Sequence, residues 1–172
     1  KRMHRSYSKE DFLILAKKIR QILPDVGIST DIIVGFPGET EEDFLETINV
    51  MEEVKFDSAF NFKYSPRLGT KASEYEDQIL ETIKQKRLEK VINLQKQHSI
   101  LRNKKLIGST QTILVEKQSK MSPDQWAGRT DSNKWVNFNK GKVKLNEIVK
   151  VTILDSKGVS LKGKLVSEVK SA

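Results

Sequence analysis

The fold of this chain is decided by residues Thr30–Thr40, which read TDIIVGFPGET. The run Ile32–Val34 is short, apolar and β-branched, as is typical of a buried strand in a parallel sheet. Two glycines after it allow another group to approach the backbone closely. Thr40 then begins a helix, and a helix N-terminus favours a negative or polar ligand group. The stretch predicts either a ligand site at a strand end or a tight strand-to-helix turn without a ligand.

The segments on either side of this stretch alternate between helix and strand. Ser8 and Asp11 form a capping-box pattern before a helix that Pro24 ends. Residues 58–65 predict a second strand after the helix that Thr40 begins. We therefore expect residues 8–65 to belong to a parallel sheet with crossover helices. Two strands do not make such a sheet alone, so we expect the last part of a larger (β/α) barrel.

The pattern changes after a long basic helix predicted over residues 79–105. From Ser109 onward, apolar residues recur with period two and turn-forming residues separate five short segments. Strands are predicted at 110–117, 126–130, 134–137, 147–154 and 160–166. Such a series predicts a small, five-stranded antiparallel β-barrel. The predicted fold class is α/β followed by all-β, with one domain over 1–105 and a second over 106–170.

The charge of the chain is unevenly distributed. The formal net charge is +8, with 15 acidic and 11 basic residues before position 79, and 8 acidic and 20 basic residues from there on. This asymmetry predicts that the second part faces a polyanion, although a solvated lysine-rich surface would give the same pattern.

Composition also excludes several classes of function. The chain has no cysteine, so it forms no disulfide, thiolate metal site or cysteine nucleophile. The two histidines, His4 and His98, are too far apart in the sequence to have the spacing of a metal site. No run of 18 apolar residues is present, and no apolar segment directly follows the basic residues at the start of the sequence. We therefore expect no signal peptide, and a cytoplasmic protein that does not bind membranes.

Four motifs in order resemble the radical S-adenosylmethionine (SAM) methylthiotransferases. Asp31–Thr40 resembles the fifth-strand motif of that family, and Met3–Tyr7 resembles its Met-x-Arg-x-Tyr segment. Phe56–Thr70 is similar to its sixth strand and following loop, in the form of the branch that modifies tRNA. Gly128–Val136 resembles a signature of its TRAM domain. Together the motifs extend over nearly the whole chain.

The resemblance implies a transferase that adds a methylthio group to C2 of N6-isopentenyladenosine next to the anticodon. It also implies SAM and two 4Fe-4S clusters as cofactors, and the anticodon stem-loop of tRNA as the partner. Because the cluster ligands are absent, we expect the chain to have no catalytic residue and no metal, and to be inactive alone. The full-length protein is expected to be monomeric, and this chain to self-associate through an exposed sheet edge.

Two other functions are compatible with the sequence. The first alternative keeps the chemistry and makes a ribosomal protein the substrate. The second is an RNA-binding module without catalysis. The missing strands argue against it, because the first 78 residues would then form half of a sheet with no role.

The SAM contacts implied by the resemblance fall on six residues: Arg5, Asp31, Ile33, Gly35, Tyr64 and Ser65. A guanidinium suits the SAM carboxylate or ribose, a carboxylate suits the ribose hydroxyls, and the remaining residues would surround the adenine. A surface arginine, a hydrogen-bonded structural aspartate and ordinary strand packing are the alternatives. Glu39 is interpreted as stabilising a helix start and not as a general base.

The RNA contacts are predicted in the second domain, at Arg129, Lys134, Trp135, Lys140 and Lys142. The cations would neutralise phosphates, and the indole ring would stack on an unpaired base. Arg129 is alternatively a structural residue that joins strands. Trp126 is a second candidate for stacking, whereas Phe138 is expected in the barrel core.

Overall fold

A computed structural model describes residues 2–3 and 5–166; His4 and positions 167–170 of the predicted second domain lie outside the described residues. The chain forms two compact units, Lys1–His98 and Ser99–Ala172. The helices and strands, in order, are α1 (Lys9–Ile22), β1 (Ser29–Val34), α2 (Glu41–Val54), β2 (Ser58–Lys63), α3 (Glu81–Lys104), β3 (Thr110–Gln118), β4 (Gln125–Thr130), β5 (Trp135–Asn139), β6 (Ile148–Lys157) and β7 (Ser160–Leu165), with a 3₁₀ helix at Lys71–Glu74. No described helix is both long enough and apolar enough to cross a bilayer.

Both predicted helix starts are confirmed, each by a complete capping box. The Ser8 hydroxyl accepts a hydrogen bond from the Asp11 amide, and the Asp11 carboxylate accepts one from the Ser8 amide. Thr40 and Asp43 form the same reciprocal pair at α2. Each box satisfies amide groups that the first helical turn leaves without partners. The box at Thr40 fixes where α2 begins, and therefore how short the turn after β1 must be.

Strands β1 and β2 form a parallel two-stranded sheet with one covered face. Ile32 and Val34 are buried with Phe44, Met51 and Phe56 in a core to which the helices contribute.

The opposite face of this sheet is exposed, so β1, which was predicted as a buried strand, is covered on one face only. It presents Asp31 and Ile33 opposite Phe60 and Phe62, and the exposed fractions are 40% for Ile33, 65% for Phe60 and 52% for Phe62. An apolar face of this kind is what a larger barrel would turn toward its interior.

The second unit contains a closed barrel with the strand order β3-β4-β5-β7-β6. Four neighbouring pairs are antiparallel, but β5 and β7 run parallel, so the predicted all-antiparallel barrel was wrong in this respect. The reason is one of parity: five strands around a ring cannot all alternate in direction, so at least one pair must be parallel. The barrel is mixed because β7 lies between β5 and β6.

The barrel interior is filled by alternate strand residues, including Val136, Val151 and Phe138, all fully buried. The prediction that Phe138 lies in the core is confirmed. Two glycines allow the strands to approach: a Cβ at Gly128 would lie 2.3 Å from the Leu114 carbonyl oxygen, and a Cβ at Gly163 would lie 2.2 Å from Val151 Cγ1.

We expect Gly163→Ala to lower the free energy of unfolding of the barrel by about 1–3 kcal/mol, the usual effect of overpacking a closed core. Both tryptophans of the chain, Trp126 and Trp135, lie in this unit, so tryptophan fluorescence during urea unfolding reports on the barrel. Lys162→Ala, on the exposed face of the same strand, is the control. Equal unfolding midpoints for the two variants would contradict the packing argument.

Candidate functional sites

The turn after β1 is held by the side chain of Glu39. Its carboxylate accepts a hydrogen bond from the Gly35 amide at 2.9 Å and one from Arg87 Nη1 at 2.7 Å. Gly35 has a φ of +72°, and a Cβ there would lie 2.4 Å from Lys84 Cγ. These contacts give Glu39 a structural role in the turn. The predicted role at the helix start differs, because Thr40 and Asp43 form the cap of α2.

A cavity of about 660 Å³ lies at the exposed sheet face and the carboxyl ends of β1 and β2. Its lining includes five of the six residues predicted to contact SAM: Arg5, Asp31, Ile33, Tyr64 and Ser65. They come together because Asp31 and Ile33 share one face of β1, while Tyr64 and Ser65 directly follow β2. Gly35 lies outside this lining and packs on Lys84 instead.

The polar groups of the cavity have unused binding capacity. The side chains of Arg5 and Asp31 form no hydrogen bond or ion pair with other described residues, and both residues are exposed. The Tyr64 hydroxyl is buried without a hydrogen-bond partner in the described chain, whereas the Tyr64 amide donates to the Val34 carbonyl at 2.8 Å. Because that amide already donates to Val34, it is not available to a bound ligand.

Several residues of this site were not found by sequence reasoning. Phe62, Arg67 and Thr70 also line the cavity, and the alternation of β2 could have identified Phe62 as lying on the same face as Phe60 and opposite Ile33. Lys84 and Arg87, both buried, come from α3, where a basic helix face gives no sign of burial.

On the barrel, Arg129 forms a network that explains its position. Its Nε and Nη2 atoms donate to the two Glu116 carboxylate oxygens at 2.7 and 2.8 Å, and Nη1 donates to Asn133 Oδ1 at 2.8 Å. Arg129 Cζ is also 5.0 Å from the centroid of the Trp135 ring. These contacts fit the structural alternative, in which the arginine joins strands. They use three of the five guanidinium N–H groups, and the side chain is 40% exposed.

Lys134 differs from the sequence prediction. It is 9% exposed, and its ammonium group donates to Asn103 Oδ1 at 3.1 Å. An ammonium group that is buried and hydrogen-bonded in this way is withdrawn from solvent and does not reach an RNA phosphate. The predicted phosphate contact is therefore replaced by a structural contact with the last turn of α3.

The other predicted RNA contacts lie at the barrel surface. Trp135 is partly exposed, and Lys117 Nζ is 4.0 Å from its ring centroid. Lys140 Nζ lies 4.3 Å from the Trp126 ring centroid, and Trp126 Nε1 donates to the Val143 carbonyl. Lys142 is exposed and has no partner among the described residues. Trp126 also packs partly against the barrel core. The two cation–ring pairs and Lys142 are together called the basic aromatic surface, which consists of Lys117, Trp126, Trp135, Lys140 and Lys142.

Residues 104–166 match the TRAM domain family, so the closed barrel is a TRAM domain. The whole chain is similar to proteins named tRNA-2-methylthio-N(6)-dimethylallyladenosine synthase. It is 46% identical over 167 residues to that of Clostridium botulinum (strain Alaska E43 / Type E3), covering 97% of the chain and 37% of the relative. It is 46% identical to those of Carboxydothermus hydrogenoformans and Bacillus cytotoxicus, covering 96% of the chain and 38% and 33% of those relatives.

The predicted resemblance to the methylthiotransferase family is thereby confirmed along almost the whole chain. The chain spans little more than a third of the length of these relatives and corresponds to their C-terminal, TRAM-bearing part.

The Arg129–Glu116 contact predicts a response of the barrel to acid. The hydrogen bond from Arg129 lowers the pKa of Glu116 below its ordinary value, against the opposing effect of burial. A group whose pKa is lowered by folding stabilises the fold above its ordinary pKa, and this stabilisation is lost as the pH falls through the lowered value. We expect the fluorescence of Trp135, which Arg129 contacts, to change in that acidic range.

The comparison of two variants checks this expectation. Glu116→Gln should lose the transition because it removes the titrating group, whereas Glu147→Gln, in the same unit, should keep it. An unchanged acid titration of Glu116→Gln would show that another group is responsible.

Proposed function

We propose that this chain supplies part of the SAM site and the RNA-binding domain of a tRNA-modifying methylthiotransferase. The observation that carries the proposal is the 46% identity to enzymes of that name over 97% of the chain. The complete enzyme would exchange the hydrogen on C2 of N6-isopentenyladenosine, next to the anticodon, for a methylthio group. We place it in the cytoplasm, where tRNA is modified, and expect the complete enzyme to act as a monomer.

The cavity at the end of β1 and β2 fits SAM. Its volume of about 660 Å³ lies within the usual range of small-molecule sites. Arg5 would bind the SAM carboxylate by charge-assisted hydrogen bonds, and Asp31 would accept hydrogen bonds from the ribose. Ile33 and Phe62 would pack on the adenine, and the unpartnered Tyr64 hydroxyl gives the site one further hydrogen-bonding group. When bound, SAM supplies the methyl group and, on reductive cleavage, the radical that removes the hydrogen.

Iron–sulfur clusters do not fit the residues of this chain. The sequence has no cysteine, and no group of three or more histidine, aspartate or glutamate side chains in the described part could hold a metal. We place the cluster ligands in the part of the complete enzyme that this chain does not cover. We therefore expect the chain to bind SAM without cleaving it.

SAM binding can be located on the chain by NMR. We expect millimolar SAM to shift the backbone amide signals of Ile33 and Ser65, and Asp31→Ala to remove these shifts by removing the ribose acceptor. Asp25→Ala, at an exposed position before β1, is the control. The same sample under reducing conditions should yield no 5′-deoxyadenosine. Shifts confined to other residues would contradict the assignment of the cavity.

RNA binding is proposed for the barrel because TRAM domains bind RNA and because the basic aromatic surface combines cations with aromatic rings. Lysines neutralise phosphates and release counterions, whereas partly exposed indole rings stack on unpaired bases. Lys117 and Lys142 are the exposed cations of this surface. Arg129 and Lys134 support it from structural positions.

We expect Lys117→Gln combined with Lys142→Gln to weaken binding to an anticodon stem-loop that carries N6-isopentenyladenosine. The logarithmic salt dependence of the binding constant should become shallower by roughly 0.7 for each lost contact with a single strand. Fluorescence anisotropy over a range of potassium chloride concentrations measures both quantities. Lys18→Gln, exposed on α1, is the control, and salt-independent binding by the wild type would contradict the proposal.

A further inference from the structure

We propose that the outer face of the barrel carries a binding site for one unpaired nucleobase, in a groove between Leu114, Ile148 and Arg129. The groove has a volume of about 280 Å³. The inference rests on the proposed RNA-binding function and goes beyond it, because it assigns a base contact to residues outside the basic aromatic surface. We call this groove the Leu114 groove.

The floor of the Leu114 groove is apolar. Leu114 on β3 lies directly opposite Ile148 on β6 and opposite Arg129 on β4. Leu114 is 45% exposed and Ile148 71% exposed, although their strand neighbours Ile113 and Val149 pack in or against the barrel core. Two large aliphatic side chains side by side on a polar surface favour an apolar, flat ligand.

The wall of the groove is the Arg129 guanidinium group. Its Nε, Nη1 and Nη2 atoms donate to Glu116 and Asn133, and these hydrogen bonds hold the plane in a fixed orientation. RNA bases stack on the flat face of a guanidinium that is held in this way. Arg129 contacts the Trp135 ring and also lines the groove. Arg129 therefore lies between Trp135 of the basic aromatic surface and the groove, so that one RNA strand could contact both.

The polar groups around the floor indicate which base would bind. The Thr112 hydroxyl and the Asp131 carboxylate line the groove and have no hydrogen-bond partner among the described residues. A carboxylate accepts a hydrogen bond from an exocyclic amino group, which cytosine, adenine and guanine have and uracil lacks. Lys150 is exposed opposite Thr112 on β6, where its charge complements a phosphate beside the base.

Two RNA heptamers test the proposal on the whole chain: UUUCUUU, which has one amino-bearing base, and UUUUUUU. We expect the wild type to bind UUUCUUU more tightly, and the ring current of the bound base to shift the methyl NMR signals of Leu114 and Ile148. The methyl signals of Leu154, exposed elsewhere on β6, should stay unchanged. Unshifted Leu114 and Ile148 methyl signals in the presence of bound RNA would overturn the proposal.

Variants provide a second test. The double variant Leu114→Ala, Ile148→Ala should bind UUUCUUU about tenfold more weakly, as expected for the loss of one base contact, whereas Leu154→Ala should bind like the wild type. Because these side chains are exposed, the fluorescence-detected unfolding midpoint should show that the variants fold. Asp131→Ala should remove the preference for UUUCUUU over UUUUUUU.

The outcomes separate this inference from the function on which it rests. If the double variant binds UUUCUUU with wild-type affinity, the proposed base site in the Leu114 groove is overturned, whereas the proposal of salt-dependent RNA binding is not affected. Failure of the wild type to bind the stem-loop and both heptamers overturns the proposed RNA-binding function and the groove together.

Discussion

The buried ion pair between Glu39 and Arg87 is the interaction on which the first unit of this protein depends. Their side chains are 11% and 7% exposed, and the same carboxylate accepts the Gly35 amide. One carboxylate thus joins the end of β1, the start of α2 and the second turn of α3. Removing one partner of such a pair leaves a buried charge and typically costs about 3–5 kcal/mol.

The barrel has a comparable constraint at its surface. Arg129 uses three donor atoms on Glu116 and Asn133 and places its plane near Trp135. Strands β3 and β4 are therefore linked by side chains as well as by their backbone ladder. A surface that binds a flexible polyanion gains from rings and cations that are already oriented, because less conformational entropy is lost on binding. The two units thus use the same device, a guanidinium fixed by a carboxylate, beside their candidate sites.

How much the sequence could predict depended on the distance along the chain between the interacting groups. The Ser8–Asp11 capping box joins residues three positions apart and was predicted correctly, as was the helix start at Thr40. Five SAM candidates meet at the cavity because strand alternation and strand ends are local signals. By contrast, Arg87 meets Glu39 across 48 positions, and Lys134 meets Asn103 across 31. No periodicity marks such partners, so buried cations resembled solvated ones. The parallel strand pair of the barrel, by contrast, could have been predicted from the sequence, because a closed barrel with an odd number of strands requires at least one parallel pair.

The position of β7 between β5 and β6 has a consequence for how the barrel is made. During synthesis, β3 to β6 leave the ribosome before β7 does, and until then β5 and β6 each have one edge without a neighbour. The barrel therefore closes only through contacts distant in sequence, a topology that folds slowly and exposes strand edges in the meantime. The nascent chain is most vulnerable to association with other chains during that interval. The interval ends when β7 pairs with β5 and β6.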